Sequence, residues 1–141
     1  MSKHVYLTRK AEFSAAHHYH NSDFSAEENR RIFGKCNNLD GHGHNYTLEL
    51  TVKGEVDPKT GFVINLVDLK EILNSEVMDV FDHRHLNKEV PEFAKEIPTT
   101  ENIAISIWRR VEPKVKALNA SVHRVRLYET PDLFVDFYGE P

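Results

Sequence analysis

The chain has 141 residues, enough for one domain (1–141) with a moderate core. Apolar residues make up 40% and charged residues 28%, an ordinary globular balance, and the formal net charge of -4 argues against a nucleic-acid binder. No run approaches the roughly 18–20 apolar residues of a membrane span, and the N-terminal MSKHVYLTRKAEF holds no signal-like segment. The single cysteine, Cys36, cannot form an intramolecular disulfide and fits a reducing cytoplasm. Nine histidines are many for this length.

Residues 4–17 alternate, with Val5, Leu7, Ala11, Phe13 and Ala15 on one parity, which predicts a half-buried strand. Residues 18–41 are polar and rich in Asn, Asp, Ser and Gly, and read as a long loop. Residues 42–54 alternate again, and Tyr46, Leu48, Leu50 and Val52 share a face with His42 and His44. Asp57-Pro58-Lys59-Thr60-Gly61 is a turn signal.

A helix is predicted from Asp68 to about Phe81, with Asp68 and Glu71 resembling a capping box. Its apolar stripe is Leu69, Ile72, Leu73, Val77, Val80 and Phe81. A second loop covers 82–98. Another helix starts at Thr99 or Thr100, and Pro113 is expected to kink it or end its first part. Strands over 121–130 and 133–138 flank a turn at Pro131-Asp132.

The order ββααββ predicts an α+β fold: a four-stranded antiparallel sheet with two helices on one face. Its open edge strands would invite pairing with other subunits, so a closed oligomer is expected.

The sharpest local feature is Gly41-His42-Gly43-His44-Asn45. In a strand, positions i and i+2 point the same way, so His42 and His44 present parallel imidazoles. Zinc takes His nitrogen, and a catalytic site keeps three protein ligands and one open position. His17 is the third candidate, because it ends the first strand on its buried parity. Antiparallel pairing of the two strands would bring it beside His42 and His44. His18 and His20 compete on spacing alone, but read more simply as loop residues, solvated or reaching toward a phosphate.

Cys36 precedes His42 by six positions. A thiol near a dication and Lys35 would have a lowered pKa and could act as a base. Asp82-His83 is a candidate relay pair. Glu129 can accept two N–H donors from a guanidine-like ring edge. Glu101 opens the second helix, where the dipole favours it.

These segments together resemble the 6-pyruvoyl-tetrahydropterin synthase family. The likeness runs through Phe13–His17, Gly34–Tyr46, Asp82-His83, Pro98–Asn102 and Leu127–Thr130. It implies the tunnelling fold (T-fold). Three such subunits close a twelve-stranded barrel, and two rings stack into a homohexamer, a dimer of trimers with active sites between subunits. It also implies Zn2+ on His17, His42 and His44, Cys36 as the base, and Asp82 and His83 completing a proton relay. Glu129 would anchor the pterin ring, with Thr99, Thr100 and Glu101 helping to bind it. The implied reaction is a lyase step of tetrahydrobiopterin biosynthesis, 7,8-dihydroneopterin triphosphate to 6-pyruvoyl-tetrahydropterin with loss of triphosphate. Lys35, Arg30 and Arg31 are candidate triphosphate contacts.

The chain departs from the family pattern at Ala16, where Ser is common, and at His85 and Asn87, where Asn and Asp are expected. His85 is therefore a spare acid–base group.

The nearest alternative is 6-carboxy-5,6,7,8-tetrahydropterin synthase of queuosine biosynthesis, which takes the same substrate and releases acetaldehyde and triphosphate. Its cysteine commonly lies four positions before the first histidine of the HGH motif, so the interval of six here favours the pyruvoyl type. An aldolase-like relative would carry a Glu near the Cys36 position. From another class, a non-catalytic pterin- or metal-binding module would share the ligands without turnover.

Overall fold

The computed structural model describes residues 3–141. Two long strands, β1 (His4–His17) and β2 (His42–Glu55), form its centre and pair antiparallel along their whole length. β2 also pairs with β4 (Ser121–Thr130), which turns through Pro131-Asp132 into β5 (Leu133–Phe137).

The alternation read from the sequence decides which face packs. Phe13 and Ala15 of β1, Tyr46, Leu48, Leu50 and Val52 of β2, and Val125 and Leu127 of β4 are buried together. The opposite face is charged: Glu49 pairs with Lys10 (3.7 Å) and Arg124 (3.3 Å), and Asp136 takes two bonds from Arg126 (2.7 and 2.9 Å).

The sheet differs from the expected four antiparallel strands. It has five, in the order β3-β1-β2-β4-β5, and it is mixed. The short β3 (Arg84–His85) runs parallel to β1 against Ala15 and Ala16. It lies in the segment expected to be loop. Two residues are too few for alternation to show, and Asp82 and His83 hold it there by bonding both backbone groups of Ser14 (2.9 and 2.6 Å). Pairing at Ala15 and Ala16 leaves the rest of β1's outer edge uncovered.

The other expected loop, 18–41, contains α1 (Ala26–Phe33) and a 3-10 turn at Gly34–Asn37. Ser25 and Glu28 cap α1 reciprocally. Asn29 is buried and closes the segment on itself: its amide binds the carbonyls of Asn21, Phe24 and Ser25, and its oxygen takes the N–H of Asn21.

The first expected helix begins earlier, at α2 (Leu66–Leu73), capped by Asn65 rather than Asp68. It continues through a π-helical turn (Asn74–Met78) into α3 (Asp79–Phe81). Buried Leu69, Leu73, Val77 and Phe81 recur every four residues. In a straight α-helix each such step drifts about 40°, and a wider π turn takes up the drift. α4 (Leu86–Glu89) and a 3-10 turn at Pro91–Ala94 lead on to α5 (Thr100–Lys116), which is capped by Thr99 and passes through Pro113 without ending there. α2 and α5 pack together, and the helical layer covers one face of the sheet.

Glu92 pins the 82–98 segment to α5. Its carboxylate takes two bonds from Arg110 (3.0 and 2.7 Å) and one from Ser106. The Arg110 and Ser106 donors hold its pKa below the ordinary 4.5 despite the opposing effect of burial. We expect Glu92→Gln to lower unfolding stability by about 1–3 kcal/mol at neutral pH. A carboxylate depressed in the folded state stabilises above its unfolded pKa and loses that contribution as pH falls through the folded value. Wild type and variant should therefore converge in acid, measured by urea titration across pH. A gap that persists below pH 3 would contradict this assignment.

Candidate metal centre

The register of β1 against β2 places His17 opposite His42 and Ala15 opposite His44. All three imidazoles lie on the packed face where the two strands meet. Gly41 makes the entry possible: its φ is +76°, and a Cβ there would come 2.6 Å from the His17 carbonyl oxygen.

His17 Nε2 and His42 Nε2 are 3.2 Å apart. Glu129, from the end of β4, sends Oε1 to 2.8 Å from His44 Nε2 and 3.7 Å from His17 Nε2. One donor atom from each of these four residues falls in a group spanning no more than 4.8 Å. Nitrogens bound to one tetrahedral zinc stand about 3.3 Å apart, so the observed spacing fits a shared cation.

The donor set also fits chemically. His44 Nε2 is shielded from solvent and, though near Glu129, is out of line for a hydrogen bond. His17 is fully buried, and desolvation pushes its pKa down to about 4, with the neighbouring His42 and His44 adding to the fall. Desolvation lowers His44 as well. Neutral imidazole is the form that binds metal.

His17 Nδ1 donates to the Pro98 carbonyl (2.9 Å), and the Tyr46 hydroxyl lies 3.0 Å from the same nitrogen. Together they fix the ring with Nε2 bare and facing the cluster. Tyr46 is wholly buried and stacks on Phe13 (5.1 Å). The sequence places Tyr46 on the histidine face but gives no sign of this bond.

Cys36 Sγ lies 3.9 Å from His42 Nε2, outside the four-residue group. Its position follows from the loop, because Tyr19 N–H bonds the Cys36 carbonyl (2.8 Å). Burial raises the thiol pKa, and the Glu129 carboxylate raises it further. The lowered pKa expected from sequence is thus not a property of the protein alone. It would need a cation beside the thiol.

Thr100 Oγ1 donates to Glu129 Oε2 (2.8 Å), and Thr99 is occupied as the cap of α5. Glu101 is exposed but within electrostatic reach of Tyr19, whose ring lies 4.7 Å from His17. Tyr19 is a wall of the centre that sequence reasoning missed.

Asp82 and His83 stand apart from this cluster. Asp82 Oδ2 is 3.0 Å from His83 Nδ1, and the Ser14 N–H bond is the main force holding the carboxyl below its usual range. His83 is 82% exposed at its side chain and takes φ +60°, a strained backbone for a non-glycine residue. Among the described residues, no hydrogen bond or ion pair links either residue to Cys36. His83 borders a cavity of about 540 Å³ with Ser14, His44, Asn45 and His85. His18 and His20 lie outside the metal cluster, and Arg30, Arg31 and Lys35 are exposed beyond it.

In this α+β chain three imidazoles and a carboxylate converge at a strand pair in a group that could hold a metal ion. A family model described as 6-pyruvoyl tetrahydropterin synthase matches residues 6–140. A Poecilia reticulata protein named 6-pyruvoyl tetrahydrobiopterin synthase is 47% identical over 136 residues, covering 96% of this chain and 90% of the relative. An Archaeoglobus fulgidus protein named putative 6-carboxy-5,6,7,8-tetrahydropterin synthase is 36% identical over 115 residues, 82% of this chain and 89% of the relative. The solved Caenorhabditis elegans 6-pyruvoyl tetrahydropterin synthase superposes with a TM-score of 0.90 at 38% identity, covering 98% of this chain and 97% of that one. The chain belongs to the 6-pyruvoyl tetrahydropterin synthase family.

Tyr46→Phe keeps the packing and removes the hydroxyl beside His17. We expect roughly tenfold weaker zinc binding in competition with a chromophoric chelator, at an unchanged melting temperature. Unchanged zinc affinity would remove Tyr46 from the support of the centre.

Proposed function

We propose that the chain is a zinc-dependent lyase that converts 7,8-dihydroneopterin triphosphate to 6-pyruvoyl-tetrahydropterin and releases triphosphate. The observation that carries this reading is the three-histidine cluster with a free thiol 3.9 Å from one of its nitrogens. His17, His42 and His44 would hold the metal, leaving a position for the substrate's side-chain oxygens. Bound there, zinc supplies Lewis-acid polarisation of those oxygens, acidifying the adjacent C–H bonds and the thiol.

Cys36 then serves as the base for a side-chain proton. The reaction needs no outside oxidant. Side-chain carbons end as ketones while the ring gains hydrogen, and triphosphate leaves with its bonding electrons. Asp82 and His83 supply the second acid–base group. Their separation from Cys36 within one chain favours delivery from a neighbouring subunit.

The geometry favours one change in the assigned roles. Glu129 stands among the imidazoles, and the full width of a bicyclic ring separates a pterin's guanidine-like edge from its side chain. Glu129 is therefore better suited to steer protons at the reacting carbons. Glu101, exposed at the start of α5, would then hold the ring edge.

The uncovered stretch of β1 and the outer edge of β5 support closure into a ring, and two stacked rings would make the hexamer. Among the described residues no helix is long and apolar enough to cross a membrane, and the lone cysteine favours a reducing cytoplasm.

The test is product identification by mass spectrometry from zinc-loaded protein and 7,8-dihydroneopterin triphosphate. We expect a pyruvoyl pterin without acetaldehyde; a carboxy pterin with acetaldehyde would move the chain to the carboxy branch. Cys36→Ala should lower kcat about a hundredfold or more while ligand binding persists. Glu129→Gln should lower kcat, whereas Glu101→Gln should chiefly raise KM. The reverse split would return the ring edge to Glu129.

A further inference from the structure

Residues 18–23 and 93–97 enclose a cavity of about 610 Å³, lined in part by His18, His20, Ser22, Asn87 and Lys95. It adjoins the metal centre on two walls. His18 directly follows His17, and Ile97 precedes Pro98, whose carbonyl holds the His17 ring. His20 Nδ1 is 3.5 Å from Asn37 Nδ2, so the His20 ring stands next to the Cys36 turn. The His18 and His20 rings lie nearly parallel, at 15° and 5.7 Å between centroids.

The lining is rich in unused donors. Among the described residues His18, His20 and Lys95 have no ion-pair partner. Two carboxylates line the same space, Asp23 and Glu96, and Glu96 is paired with Arg109 (3.5 Å). Asn87 is spent on the backbone: it brackets His18, accepting from its N–H (2.8 Å) and donating to its carbonyl (2.7 Å). The effect is to fix the course of the chain as it leaves the metal ligand.

We infer that this cavity is the subsite for the substrate's triphosphate, with His18, His20 and Lys95 as its donors. The inference rests on the function proposed above. In that substrate the triphosphate hangs only a few bonds from the side-chain oxygens, so it must lie in a space adjoining the metal centre. The cavity of about 540 Å³ at His44 also adjoins the centre, but Arg84, the one arginine or lysine lining it, is already paired with Glu89 (3.4 Å). Imidazole N–H groups and a lysine ammonium bind phosphate oxygens without a change in protonation of the metal ligands.

The test uses full-length, zinc-loaded Cys36→Ala protein, in which ligand binds without turnover. Affinities for 7,8-dihydroneopterin triphosphate and for 7,8-dihydroneopterin are compared before and after adding His20→Ala and Lys95→Ala. Both residues are exposed, so the fold should survive. We expect at least about tenfold weaker binding of the triphosphate and less than twofold change for the dephosphorylated compound. Equal affinity for the triphosphate, or equal loss for both ligands, would overturn the subsite. If the Cys36→Ala parent binds neither ligand, the proposed function falls, and the subsite with it.

Discussion

The antiparallel register of β1 on β2 is the constraint on which everything else depends. It sets His17 against His42, and the strand period then brings His44 and Tyr46 to the same face. A slip of one residue would turn every core side chain of β2 toward the charged face and scatter the imidazoles. The register is held by the stacked pair Phe13 and Tyr46, by the buried run Leu48, Leu50 and Val52, and by the Thr8–Thr51 bond (2.7 Å) on the other side. Site and core are thus fixed by the same pairing.

Burial then tunes the chemistry. The packed face that protects the core also keeps His17 neutral and ready to bind a cation. Burial also raises the Cys36 thiol, so the protein alone disfavours the thiolate. A cation among the histidines would reverse that trend, and the proposed role of Cys36 therefore depends on occupancy of the centre. Glu129 raises the thiol further, and Thr100 holds its second oxygen.

The long strands, their inward faces and the HGH cluster were legible in the sequence because period-2 alternation runs unbroken through them. His17 was found by the same parity. α1 was missed because residues 26–33 are mostly polar and show little apolar stripe, although Ser25 and Glu28 carry the capping-box spacing. β3 was invisible because two residues cannot display a period. The support from Pro98 and Tyr46 was unreadable, since both partners reach His17 only through tertiary folding. Residue type and family likeness make Glu129 a ring anchor. Its distance to His44 required the β2–β4 pairing in three dimensions.

The central claim is that three imidazoles hold the metal while Cys36 stays free beside it. Zinc-edge X-ray absorption on the loaded protein tests it most directly. The account predicts only nitrogen and oxygen neighbours at about 2.0–2.1 Å. A sulfur neighbour at about 2.3 Å would make Cys36 a ligand and the site a closed structural one, contradicting the catalytic reading.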